Sequence, residues 1–321
     1  MLVLNHAVSM RIKKLQALLR RLPDNHPKRP AIEEELGKCV AGQKGEKSLD
    51  YYLSFLPEKE FLILHGLRLP YQSFYFQMDT ILLSKSFILI VEAKNISGHL
   101  LFDDTFKQLI RTKDDGTREV FPDPLQQVKH QKFQFHNWLK EHKFPNIPLE
   151  HLVVMTNPNC ILKTTNPESV YVKKVLHSTY LLEKIEQIQQ SYIKEAATNK
   201  QIHNLSKRLM KRNEPEDPDF FDKFNMVKSE LIPGVQCPSC STSPMFRKNG
   251  KWQCPQCPTS SRDAHMQALI DYSLLIDNSL TNREARKYLQ IESPTVSYKI
   301  LRSLNTQYQG STKSRVYDLK F

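Results

Sequence analysis

The run Phe87-Ile-Leu-Ile-Val-Glu-Ala-Lys-Asn95 opens with five consecutive apolar residues and closes with two charges two positions apart, Glu92 and Lys94. An apolar run of this length predicts a strand covered on both faces. The two-residue period of a strand sends positions i and i+2 to one side, so Glu92 and Lys94 point together at the strand end. Upstream, Phe74-Tyr-Phe-Gln-Met-Asp-Thr-Ile-Leu-Leu83 reads as a second strand. If the two runs form a hairpin, Asp79 arrives alongside Glu92. Two carboxylates and an ammonium converging there can hold a hard divalent cation and orient a nucleophilic water, as a metal-dependent phosphodiesterase requires. The plain alternative is a Glu–Lys pair on a solvated strand face.

Outward from this pair, further strands are expected at Phe61–Leu69, His99–Phe102 and Phe106–Thr112, with Asp115-Gly116 as a hairpin turn. A helix is expected from about Ala31 to Leu56, interrupted near Gly42 and Gly45, with Glu46 near the start of its second part. Beyond Pro122 and Pro124, a helix from Leu125 to His142 sets Gln127, His130, Gln131 and Gln134 on one side, and His151–Thr156 reads as a short buried strand. Helix, strands, helix and strand in this order indicate an α/β class with the site along a central sheet.

Four features in order carry a resemblance: Gly45-Glu46 opening a helix, Asp79 before an apolar stretch, the V-E-A-K-N-I-S-G run from Val91 to Gly98, and Pro124-Leu-Gln-Gln127 before His130. Together, over about residues 38–157, they resemble a NERD domain, the nuclease-related branch of the PD-(D/E)XK superfamily. The resemblance implies a restriction-endonuclease-like core, a central mixed sheet flanked by helices, with Mg2+ or Mn2+ at the catalytic site. It implies that Asp79 and Glu92 bind the metal and that Lys94 polarises the attacking water or the scissile phosphate. Glu46 would complete the acidic cluster. Gln127 would hold substrate or the Lys94 side chain, although Gln126 beside it could face the cleft instead. His130 reads as a solvated or phosphate-contacting residue and stays outside the catalytic set.

At 321 residues, with 40% hydrophobic content, the chain is long enough for two or three folded domains. It has no apolar stretch of the ~18 residues a membrane helix needs, and a cytoplasmic protein is expected. The net charge of +12 is uneven: residues 1–45 carry nine Lys/Arg against four acids, residues 232–321 twelve against six, and the middle 25 against 24. Basic flanks around a neutral centre suit ends that hold a polyanion by salt-sensitive, sequence-independent attraction. Val8–Arg21 reads as a basic amphipathic helix, with Leu15, Leu18 and Leu19 on one face, packing on the main domain.

Cys237-Pro-Ser-Cys240 and Cys254-Pro-Gln-Cys257, thirteen residues apart, are two knuckles of the spacing that closes a tetrahedral four-thiolate zinc site. With Asn249-Gly250 as the turn between short strands, the module resembles a zinc ribbon whose metal is structural. Arg247, Lys248, Lys251 and an exposed Trp252 ring are candidate contacts to a nucleic-acid strand. Farther on, Thr281-Asn-Arg-Glu284 has capping-box spacing and Pro294 suits a helix start. The result resembles a helix-turn-helix unit offering Lys299 and Arg302.

The expected organisation is a basic helical extension (1–37), a NERD-like core (38–177), a long helix with an acidic linker (178–231), a zinc ribbon (232–262) and a helical domain (263–321). The expected activity is metal-dependent hydrolysis of nucleic acid, DNA before RNA. The rival is a catalytically silent DNA-binding or regulatory protein that uses the core as a scaffold.

Overall fold

The computed structural model describes residues 2–311 and 314–319. The chain opens with β1 (Leu2–Leu4), α1 (Met10–Arg21) and α2 (Arg29–Leu53). It then alternates through β2 (Leu62–Tyr71), β3 (Phe74–Leu83), β4 (Ile88–Lys94), β5 (Gly98–Asp103), β6 (Gln108–Thr112), β7 (Arg118–Pro122), α3 (Pro124–Glu141), β8 (Leu149–Met155) and β9 (Cys160–Thr164). α4 (Val170–Lys174), β10 (Val175–His177), α5 (Leu181–Ser191) and α6 (Asn199–Arg212) follow. Contacts group these elements into two compact units. One comprises residues 1–8 and 39–216, the other residues 9–38 and 217–321.

The first unit is a mixed α/β layer structure. Its six-stranded sheet has the order β1-β2-β3-β4-β8-β10. β2, β3 and β4 form an antiparallel meander, whereas β4, β8 and β10 run parallel. β4 is therefore central, and its residues Ile88 to Val91 are wholly buried, as the unbroken apolar run requires. One face of the sheet packs on α3 through Val128, Phe135 and Trp138, within the cluster that holds Met78, Ile90 and Val153. The other face packs on Leu49 and Leu53 of α2 and Leu181 and Ile185 of α5, with Leu89, Val91 and Leu152. A second sheet, β7-β6-β5-β9, continues from the ends of β4 and β8.

The expected interruption of α2 is not found: Gly42 and Gly45 lie within one continuous helix. Two interior glycines cost roughly 1 kcal/mol each, and burial of Leu49 and Leu53 offsets that. The helical stretch after Ser178 divides into α5 and α6, the latter opened by a capping box between Thr198 and Gln201.

In the second unit, α7 (Phe220–Phe224) precedes a three-stranded antiparallel sheet of β11 (Phe246–Lys248), β12 (Lys251–Gln253) and β13 (Ser260–Ser261). The β11–β12 turn is Asn249-Gly250, both with positive φ, as a two-residue hairpin turn requires. α8 (His265–Leu275), β14 (Ser279–Thr281), α9 (Asn282–Leu289), α10 (Pro294–Ser303), β15 (Tyr308–Gln309) and β16 (Val316–Asp318) complete it. Cys237, Trp252, Leu269, Leu289, Ile300 and Leu301 share one core, so ribbon and helices are one packed body.

Helix α1, expected to pack on the main domain, belongs instead to the second unit, where it packs on α8. Its Leu15 and Leu18 stripe is buried, and its two terminal arginines converge on Asp271, which is fully buried. Arg20 Nη2 lies 2.8 Å from Asp271 Oδ1 and Arg21 Nε 2.7 Å from Oδ2. Part of the basic N-terminal charge is thus consumed internally.

Candidate functional site

Pairing of β3 with β4 is antiparallel in the register Thr80↔Val91, which brings Asp79 beside the Glu92 end of β4. There Asp79 Oδ2 accepts a hydrogen bond from the Ala93 amide at 3.0 Å, so a carboxylate takes over where the backbone ladder stops. Glu92 is 2% exposed. Its Oε1 accepts from Lys94 Nζ at 2.6 Å and Gln127 Nε2 at 2.7 Å, and its Oε2 from Gln131 Nε2 at 2.8 Å. Lys94 Nζ also donates to Gln127 Oε1 at 3.0 Å. The two amides stand one helical turn apart on α3, on the same face.

Glu46 comes from α2. Burial, then the nearby Glu92 charge, pushes its carboxyl up to about 7, with Lys94 opposing. Burial lifts the Asp79 carboxyl well above the usual carboxylate range, with Glu92 and Glu46 adding to it and Lys94 opposing. Three carboxyls that raise one another form a site of unspent negative potential, which a cation relieves. The donors are hard oxygens, suited to Mg2+ or Mn2+ and unsuited to soft metals.

The expected set Glu46, Asp79, Glu92, Lys94 and Gln127 is therefore linked by charge and hydrogen bonds, and Gln127 rather than Gln126 faces the lysine. Glu46, Asp79 and Glu92 are less tightly gathered than the two clusters described below, whose ligand atoms lie within 4.8 Å of one another. Sequence reasoning left out Gln131, which fixes the second oxygen of Glu92. It also left out Asn95, whose Nδ2 donates to Ala41 O of α2 at 2.8 Å and whose Oδ1 accepts from Asn157 at 3.0 Å. The V-E-A-K-N run carried Asn95 in plain view, and its contact with α2 was the missing information.

Gly45 explains how α2 comes so near. A Cβ there would lie 2.7 Å from both Asn95 Cβ and Thr156 Oγ1. Gly45→Ala is expected to destabilise the protein by about 1–3 kcal/mol through overpacking, against a helix-propensity gain of at most ~1 kcal/mol. Gly42→Ala, where a Cβ meets nothing within 4 Å, should stabilise it. Urea denaturation of both variants checks the opposite signs.

Residues 41–156 match the family model described as the nuclease-related domain. This segment is a NERD domain. The match contains the whole constellation, from Glu46 on α2 to Gln131 on α3, and ends just after β8. No curated protein and no solved structure matches the chain. The NERD domain thus rests its acidic cluster on a buried central strand, a placement that fixes side chains more firmly than a loop does.

In the second unit, Cys237, Cys240, Cys254 and Cys257 bring their sulfurs within 4.8 Å of one another. The separations Cys237–Cys257 and Cys240–Cys254 are 3.6 and 3.5 Å. A disulfide requires about 2.05 Å. A zinc tetrahedron with 2.3 Å bonds places its sulfurs about 3.8 Å apart. The four-cysteine cluster can therefore hold zinc.

The basic candidates divide. Lys248, Lys251, Lys299 and Arg302 are exposed. Arg247 is half-buried, with its guanidinium 5.1 Å over the Trp252 ring. Trp252 itself is not available for base stacking: it is 1% exposed, and its Nε1 donates to His265 Nδ1 at 3.1 Å. The ring belongs to the core because β12 pairs on both sides and its middle residue faces the helices. The exposed aromatic of this hairpin is Phe246, at 60%. Among the described residues no helix is long and apolar enough to cross a membrane.

Proposed function

We propose that the NERD domain is a metal-dependent nuclease acting on DNA, and that the second unit holds the substrate. The observation that carries the reading is the meeting of Asp79, Glu92 and Lys94 at the end of a buried central strand, with Glu46 delivered by α2. Asp79 and Glu92 would hold Mg2+ or Mn2+, which supplies charge stabilisation at the phosphoryl oxygens and lowers the pKa of bound water. Lys94 orients or deprotonates the attacking water. Gln127 steers the ammonium, Gln131 fixes the rotamer of Glu92, and Glu46 adds negative potential beside them.

Structural zinc in the four-cysteine site would organise the ribbon. Lys248, Lys251, Lys299 and Arg302 would contact phosphates, with Arg247 partly withdrawn onto Trp252. DNA is favoured over RNA by the helix pair α9–α10, in which Thr281 caps the first helix and Pro294 starts the second. A cytoplasmic location fits a chain of only six cysteines, four of them placed for metal and not for disulfides.

One observation favours the scaffold reading: both oxygens of Glu92 are already engaged by Lys94, Gln127 and Gln131. The test is cleavage of plasmid, linear duplex and single-stranded DNA with and without Mg2+ or Mn2+. Metal-dependent cutting supports the nuclease. Intact DNA binding with no cutting under either metal establishes the scaffold.

Metal binding should be pH-dependent. A carboxyl whose folded pKa is raised stabilises the metal-free fold most at low pH, and that contribution fades as pH rises through the folded value. For Glu46 the window runs from 4.5 to about 7. A cation binds the ionised form, so the Mg2+-induced rise in Tm should be small at pH 5 and large at pH 8. Glu46→Gln should flatten that dependence, measured by thermal melts in EDTA and in Mg2+.

A further inference from the structure

On the far side of Glu46 from Glu92, three residues far apart in sequence meet inside the first unit: His6 after β1, whose Nδ1 is 4.0 Å from Glu46 Oε2, Asp50 on α2 and His65 on β2. His6 Nε2 lies 3.2 Å from Asp50 Oδ1, and His65 Nε2 lies 3.3 Å from the same oxygen. The two rings are stacked, with centroids 3.9 Å apart. The three ligand atoms fall within 4.8 Å of one another.

A hydrogen-bonded His–Asp–His cluster would explain proximity, but the alignment does not suit it. His6 Nε2 and Asp50 Oδ1 are buried and, despite their 3.2 Å separation, neither has a hydrogen-bond partner. The His6 side chain is only 6% exposed and that of His65 1%, whereas the Asp50 side chain is 44% exposed, with its Oδ1 turned inward and buried, so water reaches the carboxylate but not the facing ring nitrogens. Buried polar atoms left unpaired cost about 1–3 kcal/mol each, and they call for a partner.

The spacing suits one kind of partner. Around a tetrahedral dication with bonds of 2.0–2.1 Å, ligand atoms stand about 3.3 Å apart, close to the 3.2 and 3.3 Å found. We propose that His6, Asp50 and His65 form a binding site for a first-row transition dication, with Zn2+ the best match to two imidazoles and one carboxylate.

Two further features support the site. Nδ1 of His65 is hydrogen-bonded to Thr80 Oγ1 at 2.9 Å, which leaves Nε2 to face Asp50, the outer support a ligating histidine needs. Burial pulls His65 down to about 3, with His6 adding to the effect, and burial lowers His6 against the opposing Asp50 charge. A neutral imidazole is the form that ligates. Asp50 stands one helical turn beyond Glu46 on α2. A metal here would pin the segment after β1, and the helix that carries Glu46, onto β2.

The experiment is zinc stoichiometry of the full chain, equilibrated with Zn2+ under excess Mg2+ and then desalted. Two equivalents are expected: one at the four cysteines and one here. His6→Gln and Asp50→Asn should each retain one equivalent with unchanged circular dichroism, whereas Asp79→Ala should retain two. Co2+ in the second site should give visible bands without the thiolate charge-transfer absorption of the cysteine site. One equivalent in the wild type, or two in both His6→Gln and Asp50→Asn, overturns the assignment. Loss of the second equivalent only in Asp79→Ala overturns it too, by moving that zinc to the acidic cluster.

Discussion

Replacing Lys94 with alanine should lower metal-dependent DNA cleavage by about 10²–10³-fold, the usual loss when one preorganised charged donor is removed, without weakening metal binding. The ammonium sits 2.6 Å from Glu92 Oε1, where it offsets part of the negative potential that Glu46, Asp79 and Glu92 create. Its removal leaves more potential for the cation, so metal affinity should hold or rise while turnover falls. Asp79→Ala should behave differently, losing metal binding and cleavage together. Gln131→Leu should lie between them: the second oxygen of Glu92 loses its only amide donor, turnover drops, and Gln131→Glu fails to restore it. Single-turnover rates over a range of Mg2+ separate the three patterns. Equal loss of metal affinity in Lys94→Ala and Asp79→Ala would mean that Lys94 has no role beyond holding the cluster together.

The second large effect concerns the cysteines. Cys237→Ser combined with Cys240→Ser should abolish the cooperative melting transition of the second unit, and chelation should do the same to the wild type. Structural zinc in small domains contributes about 10–16 kcal/mol to folding, more than a domain's typical net stability. Because Cys237 and Trp252 share a core with Leu269, Leu289 and Ile300, the loss should spread beyond the ribbon into α8, α9 and α10. Trp252 reports it directly: its buried indole should shift to the red as the ring meets water. The transition of the NERD domain, with its separate core around β3, β4 and α3, should persist. If tryptophan emission stays blue and two transitions survive chelation, the four-cysteine site does not hold the fold together.

Much of the NERD domain was legible in the chain because strand periodicity is short-range. An apolar run ending in Glu92 and Lys94, one hairpin from Asp79, leaves little freedom in where those groups point. Gln127 was legible only as one of two neighbours, since a helix drawn from sequence has no fixed rotation about its axis. Gln131 shared its face, but depth decides its role, and depth is a property of packing. Trp252 was misjudged for a related reason. A three-residue strand carries too few positions for alternation to show which face is covered. Helix α1 displayed an apolar stripe clearly, but a stripe does not name its partner, and the buried Asp271 that receives Arg20 and Arg21 lies at the other end of the sequence. His6, Asp50 and His65 gave no signal at all, because nothing local relates them.

The division of the chain has a consequence for its synthesis. Residues 9–38 belong to the same unit as residues 217–321, so α1 leaves the ribosome long before α8. At ~5–20 residues per second, the roughly 250 residues between Arg21 and Asp271 occupy about 12–50 s. During that interval the leucines of α1 lack α8, the helix they pack on, while every strand of the NERD domain emerges. The order of translation therefore completes the acidic cluster first and the zinc-bearing unit last. A chain arrested between the two would carry a finished NERD domain joined to an amphipathic helix without its α8 partner, a form that chaperones would have to shield.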